Sequence, residues 1–404
     1  MLGIKGKASL VMVINEAIQA DLIGIASQFY IVEDTSQLVP TAHLTFVDQN
    51  GLIIDLMDKL IAGDIRFDFG WPETNESENL FSHRHRLFRI NESQQFTAMT
   101  ASSIALDLVT WSRMAPALTI EDKIRSFGSV SASTIISQLV SEAGGTEKLI
   151  ESSADERAYI QAQWTDSQFI RHLADHAVSA DGTARGFLFF FDRHEQFTFA
   201  SPKYLYDQNK PEEADDESSL IFANNPEIVA EDASVILAYS FDSDAKSWLS
   251  KNGYGTVFSW YDTTDYSYNT ETKKLSDDVA NFSISDFTMM ETEYDALSKG
   301  MYTGRKLDDS DNMLRTRYQA SMINLNVLIK FDADINLGDV IRIVLPVPDD
   351  PSRKESRVML DTLSSYWVVS RIVHYIDSRT TEYMMKIKLT RTGVSLKESE
   401  LLVS

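Results

Sequence analysis

The residues of this chain whose types and spacing could do chemistry fall in four short stretches. His172 and His176 stand four apart in His172-Leu173-Ala174-Asp175-His176. On a helix that spacing puts both rings on one face, as in a zinc-binding helix. The zinc protease patterns place Glu directly after the first His or directly before the second, and here Leu173 and Asp175 occupy those places. His83-Arg84-His85-Arg86 holds a second pair, able to ligate a metal if both rings face one side of a strand, but no third ligand is near it. Pro211-Glu212-Glu213-Ala214-Asp215-Asp216-Glu217 is acidic yet lacks the ordered Asp/Asn/Gly spacing of a calcium loop. Tyr254, Phe258, Trp260, Tyr261, Tyr266 and Tyr268 make an aromatic stretch. It fits a sugar-stacking platform, a contact surface rich in hot-spot residue types, or two aromatic strands packed inside their own domain.

Other chemistries leave no trace. A nucleophile elbow, a phosphate-binding glycine loop, a dinucleotide fingerprint and a two-cysteine metal knuckle are all missing. With 60 acidic residues, carboxylate pairs arise by chance, so no glycosidase pair stands out. The sequence therefore names no catalytic residue, no metal ligand and no cofactor site, and the expectation is a protein that is not an enzyme.

The elements that would position these residues are legible. Ser131 or Ser133 caps a helix whose apolar face is Ile135, Ile136, Leu139, Val140 and Ala143, stopped by Gly144-Gly145. Thr165-Asp166-Ser167-Gln168 is a capping box that opens a second helix, with Phe169, Ile170, Leu173, Ala174 and Ala177 as its buried stripe. That stripe leaves His172 and His176 beside it, towards solvent. Two strands follow, Gly186–Phe191 and Gln196–Ala200, joined by Asp192-Arg193-His194-Glu195 as a hairpin turn. Residues 112–205 thus read as a small α+β domain.

Near the C-terminus the pattern turns to short strands. Asn324–Phe331, Val340–Leu345, Tyr366–Ile376 and Tyr383–Leu389 are rich in β-branched and aromatic residues and bounded by turn residues. Met385, Ile387 and Leu389 alternate with Lys386, Lys388 and Thr390, as on a sheet with one wet face. Leu337-Gly338-Asp339 precedes the second of these strands, and Ala62-Gly63-Asp64 precedes Ile65–Trp71 in the same way. In both places glycine is expected to supply a turn conformation closed to other residues. Leu87–Ile90 and Phe96–Met99 follow the first Gly-Asp in the order of the later unit's last two strands, and Phe29–Val32 and Ala42–Val47 are its candidate opening strands. The expectation is an internal duplication, with one barrel near each end. Gly51–Leu60 interrupts the first and fits either a short helix or a strand. The fold class is α+β, mainly β: two similar tube-type β-barrels flanking a small α+β domain and a mixed middle region. The expected division is a first tube-like barrel over 1–111, the α+β domain over 112–205, a mixed connecting region over 206–315, and a second barrel with a short tail over 316–404. Val235–Tyr239 is strand-like within the middle region, and Asp308-Asp309-Ser310 opens a last helix with Met313, Leu314 and Tyr318.

Bulk composition bounds the rest. The 404 residues suffice for two to four domains, and 43% hydrophobic with 24% charged content is ordinary globular composition. No cysteine occurs, which suits assembly in a reducing cytoplasm. The apolar run Leu10–Ile14 is too short for a signal peptide, and no stretch approaches the roughly 20 apolar residues of a membrane span, so no membrane insertion is expected. A net charge of −23 argues against gripping nucleic acid, though an acidic surface lets a polyanion pass without sticking.

The order helix, strand, Gly-Asp strand, long loop, strand with His374, and final strand resembles the C-terminal barrel of the baseplate hub protein of contractile-tailed phages. That family includes the late control protein D type and the hub half of the type VI secretion spike protein. Tyr366–Asp377 followed by Thr380–Leu389 carries the likeness, and Trp164-Thr165-Asp166 with the Phe-Phe-Phe-Asp hairpin resembles the family's second domain. The resemblance implies a homotrimer whose duplicated barrels form a pseudo-sixfold ring. Such a ring joins the hexameric tail tube to the trimeric central spike and lines the DNA channel, with DNA only as passing cargo. It implies contacts with the tail tube protein, the central spike protein and baseplate wedge proteins, and a tape measure protein as a further candidate. It also implies a place in the virion's tail baseplate after assembly in the host cytoplasm. Two alternatives stay open: a carbohydrate-active or cell-wall-degrading tail protein, and a secretion-system spike component. The loop Pro346–Ser365 is long for this pattern, and which partner it faces is open.

Overall fold

The computed structural model describes residues 9–22, 26–48, 57–70, 80–98, 101–154, 156–181, 186–209, 219–221, 235–243, 256–262, 267–273, 323–330, 335–345, 366–377 and 382–391. The N-terminal strands are β1 Ser9–Ile14, β2 Ile18–Asp21, β3 Ala26–Asp34 and β4 Thr41–Asp48. Helix α1 Met57–Ala62 follows, then β5 Ile65–Gly70, β6 Leu80–Ala98 and β7 Ala101–Ser112. Next come α2 Ala115–Thr119, β8 Lys123–Val130, α3 Ala132–Glu142, β9 Thr146–Ile150 and β10 Arg157–Trp164. Then follow α4 Asp166–His176, β11 Leu188–Phe191, β12 Gln196–Ala200 and α5 Pro202–Asn209. The remaining strands are β13 Ser219–Ile221, β14 Ile236–Ser243, β15 Thr256–Asp262, β16 Ser267–Lys273, β17 Ile323–Lys330, β18 Val340–Val344, β19 Tyr366–Asp377 and β20 Glu382–Arg391. The fold is mainly β with a smaller helical component.

The duplication is visible in strand connectivity. The first unit runs β3-β4-β7-β6-β5, and the second runs β14-β17-β20-β19-β18. Every neighbouring pair is antiparallel in both units. The bulges repeat as well. β3 slips against β4 between Ala26 and Gln28, and β14 slips against β17 between Ile236 and Ala238. β6 slips against β7 between Leu87 and Arg89, and β19 slips against β20 between Val369 and Arg371. Leu87-Phe88-Arg89-Ile90 and Val369-Ser370-Arg371-Ile372 therefore hold equivalent places, sharing Arg and Ile. Bulges are local features that re-aim a strand, so their repetition at matching positions supports a common unit more strongly than strand order alone.

The sequence pattern explains which faces are buried. Ile65 and Phe67 of β5 are buried while Arg66 and Asp68 are half-exposed, and Met385, Ile387 and Leu389 of β20 are buried while Lys386 is exposed. One continuous apolar core joins both units, from Leu10, Leu44 and Phe67 to Leu325, Trp367 and Ile387. Each such fully buried side chain contributes about 1.5–3 kcal/mol relative to exposure. A second core lies in the α+β part, where α3 and α4 bury Ile135, Ile136, Leu139, Phe169 and Leu173 with Phe187, Phe191, Phe197 and Phe199. Ser131 is the N-cap of α3, its side chain accepting from Thr134 N. Both capping-box bonds of α4 are present, Gln168 N to Thr165 Oγ1 at 3.3 Å and Thr165 N to Gln168 Oε1 at 3.1 Å.

Several expectations need correction. Leu87–Ile90 and Phe96–Ala98 lie on one long strand, β6, and the last strand of the first unit is β7. The polar run Asn91–Gln95 reads as a break, but pairing with β7 carries the strand across it with a second bulge between Ile90 and Glu92. Leu10–Ile14 is a core strand, paired with β5 and turned into β2 through Asn15 and Glu16, both at positive φ. Residues 57–62 of the ambiguous Gly51–Leu60 stretch and its continuation are helical. β13 and β14, from the region read as mixed, join the second unit's sheet, β13 running parallel to β18. The acidic run 211–217, the helix expected from Asp308 to Tyr318, the long segment 346–365 and the C-terminal tail lie outside the described residues.

Candidate functional site at the joint of the two barrels

The two barrels meet strand to strand. The C-terminal half of β19 pairs antiparallel with β3, from Arg371 opposite Asp34 to Ile376 opposite Phe29. The bulge at Ser370 is where the change occurs: before it β19 pairs with β18, after it with β3. One sheet therefore runs through both units.

A buried polar cluster sits on this joint. Glu33 of β3 and His374 of β19 are each 0% exposed, and Arg193 of the β11–β12 turn is 4% exposed. His374 Nε2–H donates to Glu33 Oε1 at 2.7 Å. The Arg193 backbone N–H donates to Glu33 Oε2 at 2.7 Å, and its Nη1 reaches Glu33 Oε1 at 3.4 Å and the Ile335 carbonyl at 2.9 Å. Four contacts thus tie the first barrel, the α+β hairpin and the approach to the second barrel's Gly-Asp turn. Burial holds the His374 imidazole below its ordinary pKa, against the upward pull of Glu33. A buried carboxylate is tolerable only when charge and hydrogen bonds compensate it, and Arg193 and His374 do so here.

A second layer surrounds it. Asp192 Oδ1 accepts from His194 N at 2.9 Å and Gln196 N at 3.0 Å, which shapes the hairpin turn. Lys148 lies 3.8 Å from Asp192 and 3.5 Å from Asp339. Burial raises the pKa of both carboxyls, and Lys148 opposes the rise. Arg113, just after β7, grips Glu195 with two bonds of 2.7 Å. Gly338 has φ +86, and a Cβ there would lie 3.0 Å from Phe190 Cζ, while Asn209 Nδ2 donates to its carbonyl at 2.9 Å. Its counterpart Gly63 is required for another reason: a Cβ there would meet Asn15 Oδ1 and the Lys59 carbonyl at 2.5 Å. The expected common turn conformation is thus replaced by close approach in the first unit, while the second unit's turn is the docking point for the α+β part.

The chemistry this arrangement can do is structural. The cluster lies inside the sheet joint, with no exposed face for a substrate. Of the residues singled out by spacing, His172 and His176 are half-buried, their ring centroids 4.4 Å apart, with His172 5.0 Å from Trp164. His176 Nδ1–H donates to the His172 carbonyl at 2.7 Å, so the pair is packed against an aromatic neighbour and not turned fully to solvent. Among the described residues no three His, Cys, Asp or Glu side chains gather to hold a metal. The His83–Arg86 backbone lies on β6, His85 opposite Ile65. Phe258, Trp260 and Tyr261 lie on β15 and Tyr268 on β16, an antiparallel pair with Tyr261 opposite Tyr268; Tyr254 and Tyr266 lie outside the described residues. No helix among the described residues is long and apolar enough to cross a membrane. Spacing could not find Glu33, Arg193 and His374, because they come from two strands and a hairpin turn far apart in sequence. An acidic residue directly after the apolar Phe29–Val32 run, and a His inside an apolar strand, were the available signals.

No protein-family model and no curated sequence matches the chain. Solved structures do. A tail protein from Neisseria meningitidis MC58 matches with a TM-score of 0.59 at 7% identity, over 96% of this chain and 98% of that one. The 43 kDa tail protein of prophage MuSo2 from Shewanella oneidensis matches with a TM-score of 0.54 at 10% identity, over 95% and 98%. A chain of the half-lidded PdpA–VgrG complex from Francisella matches with a TM-score of 0.53 at 10% identity, over 96% of this chain and 58% of that one. The chain shares the fold of these tail proteins and of the VgrG-complex chain, in agreement with the resemblance carried by β19 and β20.

Proposed function

We propose that this chain is a structural baseplate hub of a phage tail. In this reading three copies assemble, and their six barrels form a pseudo-sixfold ring between a hexameric tail tube and a trimeric central spike. The observation that carries it is the repeated strand path with its repeated bulges, joined within one chain by β3 and β19. A chain holding two copies of one unit, side by side in one sheet, has what is needed to present six similar units with threefold symmetry. The tail-protein fold of the solved neighbours supports the setting. The net charge of −23 suits a ring whose channel passes DNA without holding it. The four-part division of the chain at 111, 205 and 315 belongs to the same proposal, as do contacts with tube, spike, wedge and tape measure proteins. The role is non-catalytic. Native mass measurement tests it together with an assay on cell-wall polymer. A hub is trimeric and releases no soluble sugar or peptide; a monomer that degrades the polymer overturns the reading.

A further inference from the structure

The two units are alike, yet their sheet edges are used differently. In the second unit, β19 beyond its bulge is covered by β3. The equivalent stretch of β6, beyond the bulge at Phe88, pairs with β7 on one side. On the other side pairing with β5 stops at His85, and among the described residues no strand follows it. The counterpart of β3 is β14, which stands at the other end of the sheet path, and among the described residues its strand neighbour is β17. The chain thus carries both halves of the joint a second time, at the two places where the first joint is not made.

Exposure points the same way. Phe29 and Ile31 of β3 are 2% and 0% exposed at the joint. Their counterparts by register are Tyr239 and Phe241, and Tyr239 is 37% exposed with its neighbour Leu237 at 38%. A long sheet edge bearing apolar side chains is a template for pairing with another chain.

We infer that β14 of one copy pairs antiparallel with residues 89–98 of β6 in the next copy, in the register that β3 and β19 use within one chain. The inference rests on the ring reading above and names the contact that closes the ring. Transferring the internal register places Ser243 opposite Ile90, where Glu33 stands opposite Ile372. It also places Ser240 opposite Gln94, where Tyr30 stands opposite Tyr375. The two joints then alternate around the ring, and a head-to-tail contact of this kind closes when its rotation does. They differ in one respect. Ser243 replaces the acid, and Ser93 stands at the place of His374, so the joint between copies lacks the buried Glu–His–Arg lock.

Because the chain has no cysteine, thiol cross-linking reads this directly. The chain with Gln94→Cys and Ser240→Cys is treated with a short bis-maleimide and run under denaturing conditions. The expected product is covalent dimer and trimer. The chain with Tyr30→Cys and Tyr375→Cys, linked within one copy, gives cross-linked monomer as the control. Trimers in solution that yield only monomer from the Gln94/Ser240 pair overturn this inference and leave the ring reading standing. Monomers at every concentration overturn the ring reading itself. Hydrogen exchange on the unmodified chain covers the case in which the variant does not fold. Slow exchange across 236–243 and 89–98 in the trimer supports the contact, and fast exchange along both in a persisting trimer contradicts it.

Discussion

His374 of the second barrel donates its Nε2–H to Glu33 of the first barrel at 2.7 Å, across 341 residues of sequence, with both side chains fully buried. This bond sits where β19 turns from its own barrel to the other. It helps fix the register between barrels, because a one-residue slip of β19 would carry His374 to the other face of the sheet and leave Glu33 without it.

Glu33→Ala leaves Arg193 buried without its carboxylate. Losing one partner of such a pair costs about 3–5 kcal/mol. Denaturant unfolding is expected to show a loss of that size, whereas Glu16→Ala, on an exposed carboxylate paired with Arg66, loses under about 1 kcal/mol. Equal losses at the two sites would remove the cluster's role in holding the joint.

Stability is expected to depend on pH through His374. Its folded pKa is lowered by burial, against the opposing pull of Glu33 and with Arg193 and His194 adding to the fall. The unfolded chain takes up the proton as pH drops through about 6.5, while the folded chain does not. The native state therefore loses up to about 1.4 kcal/mol per pH unit below that value. The stability advantage of the natural chain over His374→Gln should shrink as pH falls from 7.5 to 5.5. Asp192 and Asp339, whose raised pKa values act with the opposite sign, are common to both chains and cancel. An advantage that grows on acidification contradicts a neutral buried His374.

Two glycines separate strain from crowding. Gly144, at φ +83 after α3, has nothing within 4 Å of a would-be Cβ, so Gly144→Ala costs about 1 kcal/mol of backbone strain. Gly338 adds the 3.0 Å approach of Phe190 to a similar φ, so Gly338→Ala costs about 2–4 kcal/mol and loosens the hairpin from the second barrel. Thermal unfolding of both variants checks the order, and the reverse order would contradict the docking role of that turn.

Thr165→Ala removes the side chain that caps α4 and is expected to cost about 1 kcal/mol. Chemical denaturation of the single variant is sufficient, and an unchanged midpoint would mean the box adds nothing to a helix already fixed by Phe169 and Leu173.

Local signals were legible in the sequence and long-range ones were not. The capping box at Thr165, the Ser131 cap and the alternation in β20 each depend on residues close in sequence; both caps stand as expected, and the alternation holds from Met385 to Leu389 but ends at Thr390, which is buried. The Gly-Asp pair correctly marked both units, but for Gly63 the reason differs, because steric approach by Asn15 is a tertiary fact. The start of β7 is hard to read because Ala101-Ser102-Ser103 has little strand propensity by itself, and pairing with β6 supplies what propensity lacks. The joint cluster was illegible for the same reason: nothing in the spacing of Glu33, Arg193 and His374 brings them together, and only the β3–β19 pairing does.

The central claim is that duplicated barrels let three chains make a six-part ring. Electron microscopy of the purified chain tests it most directly. The account predicts end-on class averages with threefold symmetry, six similar lobes and an open centre; isolated two-lobed particles at every concentration would contradict it.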